Sequence, residues 1–213
     1  MTDRLKIIFS ALPPCKTFAD VGCDHGYIAK AMMDFNKCEK AIISDVSAKC
    51  LVKAETLLNE YISAGKVTAV VSDGFDKIGV SDLALIAGMG GEEICSIITR
   101  AKNLPKMLAL QPMKNCSKVR KVAVELGYKI IKDFLFKSAG KFYDFILLEK
   151  GEDFLTEDEL FFGRDNIKGE NPAFIESLKI RKEKLLDYLK NDAINSEERA
   201  KLSLELERVK KHV

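Results

Sequence analysis

The sequence predicts an α/β fold, with a mostly parallel sheet followed by a helical appendage. From Thr17 to Leu148, short β-branched or apolar runs alternate with amphipathic stretches of helix length, as in a sheet with crossover helices. The last two runs are separated only by Lys137–Lys141, which is too short for a crossover helix and therefore predicts an antiparallel hairpin. After Gly151 the strand-like runs disappear, and helical patterns replace them.

Seven strands are predicted along the chain. They are Thr17–Val21, Ala41–Asp45, Val67–Val71, Leu83–Ala87, Met107–Gln111, Tyr128–Phe136 and Phe142–Glu149. A short helix from Arg4 to about Ala11 precedes them and ends at Pro13-Pro14, because proline cannot continue a helix. Five parallel strands that end in a hairpin distinguish the Rossmann-like class I methyltransferase sheet from an ordinary dinucleotide-binding sheet.

Two helices are predicted in the tail, and they form a coiled-coil-like hairpin. They cover Pro172–Lys190 and Ser196–Val213, with Asn191–Asn195 between them, Pro172 in a first turn and Ser196 as an N-cap. Their apolar stripes are Leu178, Leu185 and Leu189 on one helix and Leu202, Leu206, Val209 and Val213 on the other. Two antiparallel helices can bury such stripes against each other. The expected domains are therefore residues 1–150 and residues 151–213.

Composition restricts the possible classes of protein. The net charge is only +2, with 22 Lys and Arg against 17 Asp and Glu in residues 1–150 and 12 against 15 in the remainder. This balance neither requires nor excludes nucleic acid. The six cysteines include no CxxC pair, and no apolar run is long enough for a membrane span. We expect a cytoplasmic protein without a metal site, a disulfide framework or a membrane partner.

The first strand runs directly into a glycine-containing turn, Asp20-Val-Gly22-Cys23-Asp24-His25-Gly26. The spacing from Gly22 to Gly26 is GxxxG rather than GxGxxG, which disfavours a dinucleotide fingerprint. Asp20 is suited to a ligand that carries an amino group, because a carboxylate can orient an ammonium. An ordinary turn from strand to helix remains the alternative.

The next three strands also end in polar or glycine-bearing tips. Asp45 lies where α/β nucleotide sites hold ribose hydroxyls. The alternative, a cap for a helix that starts near Ser47, could hold at the same time. The segment Ser72-Asp73-Gly74 could hold an adenine ring or form only a turn. The segment Gly88-Met89-Gly90-Gly91 would let a flat base approach the backbone, or would be a flexible turn without a ligand. Ligands of open α/β sheets bind at these strand ends.

In this order, the motifs resemble the bacterial tRNA (adenine-22-N1)-methyltransferase family, the TrmK type. The residues that carry the resemblance are Asp20-Val-Gly-Cys-Asp-His-Gly-Tyr27, Ser44-Asp45-Val46, Ser72-Asp73-Gly74, Ala87-Gly88-Met89-Gly90-Gly91 and Leu110-Gln111-Pro112. They span most of residues 1–150, and the helical tail agrees in type and placement. The sequence departs from the family pattern at Gly26, Met113 and Arg164, where alanine, asparagine and proline are expected.

The resemblance implies S-adenosyl-L-methionine as cofactor, tRNA as partner and methyl transfer to N1 of an adenine in the D-arm. The expected catalytic residues are Asp24, His25, Tyr27 and Met89. The expected cofactor contacts are Asp20, Gly22, Cys23, Asp24, Asp45, Val46, Ser72, Asp73, Gly74 and Gly88. The expected RNA contacts are Gly90 and Gly91 together with Lys179, Arg181, Lys182 and Lys184, although the hairpin charges could simply be solvated.

Three other functions are compatible with parts of the sequence. A methyltransferase of the same fold could act on a small molecule or a protein. A non-catalytic RNA-binding or assembly protein could retain a vestigial site, but intact Asp20, Gly22, Asp45 and Asp73 argue against decay. An NAD-dependent dehydrogenase is disfavoured, because the fingerprint glycines are wrong and the predicted sheet ends in a hairpin.

Overall fold

One seven-stranded sheet forms the centre of the computed structural model, which describes residues 1–191 and 193–213. The strands are β1 Cys15–Val21, β2 Cys38–Asp45, β3 Val67–Val71, β4 Leu83–Met89, β5 Met107–Pro112, β6 Tyr128–Ser138 and β7 Lys141–Lys150. Their order is β3-β2-β1-β4-β5-β7-β6; β7 runs antiparallel to both of its neighbours, β5 and β6, and the other adjacent pairs are parallel. This arrangement confirms the predicted class I methyltransferase sheet, while β1 and β2 begin two and three residues earlier than predicted.

Ten helices surround the sheet in the described parts of the chain. They are α1 Asp3–Ala11, α2 Tyr27–Asp34, α3 Ala48–Leu57, α4 Asn59–Ser63, α5 Gly91–Arg100, α6 Cys116–Glu125, α7 Glu157–Phe162, α8 Arg164–Lys168, α9 Pro172–Leu189 and α10 Ser196–Lys210. None of these helices has both the length and the apolar character that a membrane crossing requires.

The central strands are buried on both faces, which explains why they read as continuous apolar runs. Phe18 and Leu85 belong to one core cluster, on the side of α1, α2 and α3. Their neighbours along the strands, Ala19 and Ile86, belong to a second cluster, on the side of α5 and α6. Because β1 and β4 are adjacent in the sheet but not in sequence, the connections diverge between them and leave a crevice at their carboxyl ends.

The β6–β7 hairpin has a tighter turn than the five-residue loop that the sequence predicts. The strands pair from Ser138 to Lys141, so only Ala139 and Gly140 connect them. Both residues have positive φ, +47° and +74°, which a two-residue hairpin turn of type I′ requires. Alanine is uncommon in this conformation, and the sequence pattern therefore did not mark the turn.

The C-terminal helices α9 and α10 form the predicted hairpin and share a small apolar core. Leu178, Leu185, Leu206 and Val209 are buried there, whereas Val213, expected in the stripe, is exposed beyond the end of α10. The N-cap of α10 is Asn195 rather than the predicted Ser196, because the Asn195 side chain accepts a bond from Glu198 N. Of the predicted connection Asn191–Asn195, position 192 lies outside the described residues.

Strand β6 is an edge strand, and side chains that follow β7 cover its open edge. Three of its backbone N–H groups donate to the tail at 2.8 Å, from Ile130 to Asp153, from Asp133 to Asp165 and from Leu135 to Asn166. Asn171 Nδ2 also donates to the carbonyl of Leu135 at 2.8 Å. The sequence predicts neither α7 nor α8, and these helices carry or adjoin most of the covering side chains.

A buried ion-pair network fixes the same tail to the hairpin. Arg120 is fully buried and donates to both carboxylate oxygens of Asp133, at 2.8 and 2.9 Å, and to Asp144 at 2.7 Å. It also donates to the carbonyl of Leu160 in α7. The backbone N–H of Arg164 donates to Asp133 at 3.1 Å. A proline, which the family resemblance leads us to expect at position 164, could not form this last bond.

Candidate active site

Two cavities lie at the carboxyl ends of β1 to β4 and share several lining residues. The larger, of about 280 Å³, is lined from the tips of all four strands and includes Asp45 and Asp73. The smaller, of about 90 Å³, is lined by Asp20, Cys23, His25 and other residues near the start of α2. Four residues line both cavities: Arg4, Gly22, Asp24 and Ala87. The structure therefore brings the four predicted strand tips to one place.

Asp20 is a buried carboxylate at the end of β1, and it lines the smaller cavity. Its side chain accepts one bond, from the backbone N–H of Ala29 in α2 at 3.2 Å. Burial raises the pKa of Asp20 to about 7, the bond from Ala29 opposes this rise, and the charge of Asp45 adds to it. A buried carboxylate with so little compensation is a strong acceptor for a cationic group that enters the cavity.

The turn after β1 is closely packed against the end of β4. Gly22 has φ +72°, and a Cβ on it would lie 2.0 Å from Cε of Met89. The backbone conformation favours glycine at position 22, whereas an added Cβ would displace the terminal methyl group of the flexible Met89 side chain. Cys23 follows it in the smaller cavity, where burial raises the pKa of its thiol, so the thiol remains protonated.

Asp24, His25 and Tyr27 form a connected group at the mouth of the smaller cavity. His25 Nδ1 lies 2.7 Å from a carboxylate oxygen of Asp24, and Asp24 has a positive φ of +49°. The rings of His25 and Tyr27 are nearly parallel, at 4°, with their centroids 5.5 Å apart. Tyr27 is 43% exposed, so its ring remains accessible at the rim.

Asp45 organises the loops around the larger cavity. One carboxylate oxygen accepts from Asp24 N at 3.2 Å, and the other accepts from Ser47 N at 2.8 Å. Ser47 itself is the N-cap of α3. The helix cap that the sequence offered for Asp45 is therefore formed by Ser47, while Asp45 lines the cavity beside the exposed side chain of Val46. A contact from Asp45 to ribose hydroxyls stays a prediction.

Ser72, Asp73 and Gly74 all line the larger cavity, but the carboxylate of Asp73 already has a partner. Arg100 donates to both Asp73 oxygens, one of them at 2.8 Å, and its guanidinium holds the pKa of Asp73 below its usual value. Ser72 Oγ instead closes the turn, since it donates to the Gly74 carbonyl and accepts from Lys77 N. A contact from Asp73 to an adenine ring stays a prediction.

The glycines after β4 have different environments. Gly88 lines the larger cavity, and Gly90 is the N-cap of α5. Gly91 is buried, and a Cβ there would lie 2.4 Å from the carbonyl oxygen of Lys114. Close packing of two backbones therefore accounts for glycine at position 91. A contact between Gly90 or Gly91 and a substrate base stays a prediction.

Sequence reasoning missed Arg4 as a residue that lines the cavities, and Gln111 as the partner of Arg4. Arg4, in α1, lines both cavities, and its Nη1 donates to Oε1 of the fully buried Gln111 at 2.6 Å. Met113, at the position where asparagine was expected, is half-exposed with its sulfur 3.6 Å from Gln111 Nε2. Asn115, two residues later, donates from its side-chain amide to Glu92 at 3.2 Å. The Gln-Pro pair at the end of β5 was the available signal for Gln111, whereas nothing in the sequence distinguished Arg4.

The predicted basic residues of α9 are not equivalent. Arg181 donates to both carboxylate oxygens of Glu205 in α10, at 2.6 and 2.9 Å, so it bridges the two helices. Lys179 and Lys184 are exposed and Lys182 is half-buried, and within residues 1–191 and 193–213 none of the three forms an ion pair. The same described residues contain no cluster of three potential metal ligands.

Comparison with known proteins agrees with this geometry. The profile of the family described as methyltransferase domain matches residues 1–146. A Mycoplasma pneumoniae protein, provisionally named a tRNA methyltransferase, is 32% identical over 155 residues, which cover 70% of this chain and 71% of that protein. The tRNA (adenine(22)-N(1))-methyltransferase of Bacillus subtilis is 25% identical over 157 residues, which cover 71% of this chain and 66% of that protein.

The fold extends over the whole chain in a solved structure. The TrmK protein of M. capricolum, in complex with S-adenosyl-homocysteine, has a TM-score of 0.90 at 21% identity, with 99% of this chain and 96% of that chain covered. At this identity the likeness establishes the fold, including the C-terminal helices. The family profile covers more than half of the chain and matches the part that forms the cavities. The chain therefore belongs to the methyltransferase domain family.

Proposed function

We propose that the protein is a tRNA methyltransferase that transfers a methyl group from S-adenosyl-L-methionine to N1 of adenine 22 in the D-arm. The observation that carries the proposal is the convergence of the four strand tips on two linked cavities, with acidic side chains at three of the tips. The relative from Bacillus subtilis bears the name of this activity, and the M. capricolum structure holds the demethylated cofactor. The substrate implies that the protein works in the cytoplasm.

The residues of the cavities fit the cofactor that this activity needs. Asp20 offers a buried, poorly compensated carboxylate to an ammonium group. At Gly22 the turn has no side chain that would fill the cavity. Asp45 would hold ribose hydroxyls, and the segment from Ser72 to Gly74 would border the adenine ring, since these residues line the larger cavity.

The bound cofactor supplies a methyl group that its sulfonium charge already activates. The protein then contributes alignment, exclusion of water and electrostatic fit rather than strong acid or base catalysis. N1 of adenine has a lone pair in the plane of the ring, so it can attack without prior loss of a proton. Gly88 and Met89, at the end of β4, border the opening through which the base would approach.

The target base has to leave its stack before it can reach the cavity. Extrusion costs a few kcal/mol, which contacts with the flipped base and the RNA backbone must offset. The stacked rings of His25 and Tyr27 offer an aromatic surface at the mouth of the smaller cavity. Asp24 orients the His25 ring through its contact with Nδ1, so all three side chains contribute to the receiving surface.

The helical hairpin would hold the body of the tRNA. Lys179, Lys182 and Lys184 lie on α9, and these charges suit contacts with phosphates. Arg181 supports this surface indirectly, because its bonds to Glu205 fix α9 against α10. Residues 151–213 thus act as a tRNA-contacting domain attached to the catalytic domain formed by residues 1–150.

The test is methylation of unmodified tRNA by the purified protein and labelled cofactor, followed by mass-spectrometric mapping of nucleosides. We expect 1-methyladenosine at position 22 and nowhere else. A matched tRNA with guanine at that position should remain unmethylated under the same conditions. Methylation of a different atom, of protein or of small metabolites with untouched tRNA would overturn the assignment.

A further inference from the structure

The lining of the larger cavity is mostly acidic. Asp24, Asp45 and Glu93 line it, and in the parts of the chain that the structure describes none of them has a lysine or arginine within ion-pair distance. Arg4 also lines it but donates to Gln111. A flipped base arrives with two flanking phosphates, which these carboxylates repel. A cation beside the cavity would offset this repulsion, provided that no carboxylate of the protein already neutralises it.

Lys114 lies next to the cavity, in the loop that follows β5. A Cβ placed on Gly90 would lie 3.6 Å from Lys114 Cε, so the aliphatic part of the lysine side chain extends along the loop after β4. Gly90 directly follows Met89, which lines the larger cavity. The ammonium group of Lys114 is therefore close to the route by which the substrate base would approach.

The backbone around Lys114 is fixed against the loop after β4. Met113 N donates to the Met89 carbonyl at 2.9 Å, and Gly91 N donates to the Lys114 carbonyl at 3.1 Å. The next residue, Asn115, has a positive φ of +58° and begins the turn into α6. Because the Cα of Lys114 is held in place relative to the end of β4, only its side chain has to become ordered when a ligand binds.

The ammonium group of Lys114 has no anionic partner among residues 1–191 and 193–213, and it has no hydrogen-bond partner there either. The neighbouring carboxylate of Glu92 is already occupied. Lys118 donates to one of its oxygens, and Asn115 donates to the other at 3.2 Å. Lys118 holds the pKa of Glu92 below its usual value, and the charge of Lys114 contributes least to this lowering. Lys114 is therefore available to an external anion.

We propose that Lys114 binds one of the two phosphates that flank the target adenosine, and thereby holds the flipped nucleotide at the loop after β4. The inference rests on the proposed function, because it concerns the RNA that this activity methylates. It differs from the contacts proposed for α9, which would hold the body of the tRNA. A lysine suits this role, since an ammonium is a point charge that binds a phosphate without a fixed orientation.

The experiment uses the full-length protein, S-adenosyl-L-methionine and synthetic tRNAs in which a neutral methylphosphonate replaces the phosphate on the 5′ or the 3′ side of adenosine 22. Single-turnover assays give the second-order rate constant of methylation for each tRNA. With the wild-type protein, one of the two neutral linkages should lower this constant about 5- to 20-fold, as expected for loss of a charge-assisted contact.

Lys114→Gln should lower the rate constant on unmodified tRNA by a similar factor. On the tRNA with the sensitive linkage it should lose at most about twofold more, because the contact is already absent. Lys114→Arg should retain most of the wild-type rate constant, since it keeps the charge. Lys121→Gln is the matched control, because Lys121 is an exposed lysine of α6. It should behave as the wild-type protein does with all three tRNAs.

Affinity for S-adenosylhomocysteine should be the same in all these variants, which separates loss of a phosphate contact from a disturbed fold. Full tolerance of both neutral linkages by the wild-type protein would overturn the inference. So would a Lys114→Gln variant that still loses the whole factor on the sensitive linkage, because independent losses add. If the wild-type protein did not methylate unmodified tRNA at adenine 22, the proposed function itself would fail.

Discussion

The methyl group of Met89 occupies the space beside Gly22 that a β-carbon would need, so the tips of β1 and β4 are packed against each other at the candidate active site. This contact couples the cofactor turn to the glycine-containing loop that is proposed to receive the substrate base. A larger residue at position 22 would displace the terminal methyl group of Met89.

Gly22→Ala should destabilise the protein by about 2 to 4 kcal/mol, because it combines a positive φ with overpacking against Met89. Gly65→Ala is the matched control, since Gly65 has φ +68° and no atom within 4 Å of the added carbon. It should cost only about 1 to 2 kcal/mol. Urea denaturation measures both. Addition of Met89→Ala should recover part of the Gly22→Ala loss, and equal effects of the two glycine substitutions would contradict the contact.

Asp20→Asn should stabilise the unliganded protein at neutral pH and weaken its binding of S-adenosylhomocysteine. The folded protein holds the Asp20 proton up to a pKa of about 7, whereas the unfolded chain releases it near 3.8. Asp20 therefore lowers wild-type stability progressively as pH rises from about 4 to 7. The stability difference between variant and wild type should grow over that interval and level off above it. Melting curves at several pH values test this, and a stability difference that stayed constant over the interval would contradict it.

Arg120→Met should destabilise the protein by about 3 to 5 kcal/mol, because it leaves the buried carboxylate of Asp133 without its counter-charge. The neighbouring substitution Lys121→Met should have little effect, since the Lys121 side chain is 66% exposed. Urea denaturation of the two variants provides the comparison. Similar midpoints would mean that the network does not hold the tail on the hairpin.

Asp73→Asn should weaken binding of the cofactor nucleoside by about tenfold if Asp73 contacts adenine. Arg100→Gln should leave that affinity within about twofold, because Arg100 is the protein partner of Asp73 and does not line the cavity. Calorimetry with 5′-methylthioadenosine isolates the nucleoside end. If Arg100→Gln had the larger effect, the pair would act by shaping the loop rather than by direct contact.

Joint replacement of Lys179, Lys182 and Lys184 by glutamine should weaken tRNA binding. It should also reduce the magnitude of the slope of log affinity against log salt concentration by about 2 to 3. Cofactor binding should be unaffected. The control replaces Lys66, Lys102 and Lys106, which are exposed beside the amino ends of β3 and β5, away from the cavities. Filter binding at a series of salt concentrations measures both. Equal losses in the two triple variants would point to non-specific attraction.

The sequence predicted the sheet and the strand tips because both depend on local signals. Alternation of apolar runs located all seven strands, and an acidic or glycine residue at each tip identified Asp20, Gly22, Asp45 and Asp73. Strand starts were less accurate, since Cys15 and Cys38 lack a β-branched signature. Hydrogen bonding then extended the strands to these residues.

Contacts between distant segments could not be predicted in this way. Arg4 and Gln111 are 107 residues apart, and no spacing rule joins an N-terminal helix to the end of β5. The pairing of Arg181 with Glu205 depends on the register of two helices. Because the sequence does not give this register, Arg181 was predicted to be an exposed residue that contacts RNA. The short helices α7 and α8 are stabilised by the edge of β6 and by Arg120 rather than by a periodic apolar face.

The side chains that cover β6 have a practical consequence for dissection of the protein. A fragment that ends at Lys150 would lose Asp153, Asp165 and Asn166 and would leave a long strand with free backbone donors at its margin. An exposed edge strand of this kind pairs with strands of other molecules, so the fragment should form oligomers or aggregates. An isolated catalytic core should therefore retain the chain at least through Asn171. A loss of RNA binding that self-association causes is then not attributed to removal of the helical hairpin.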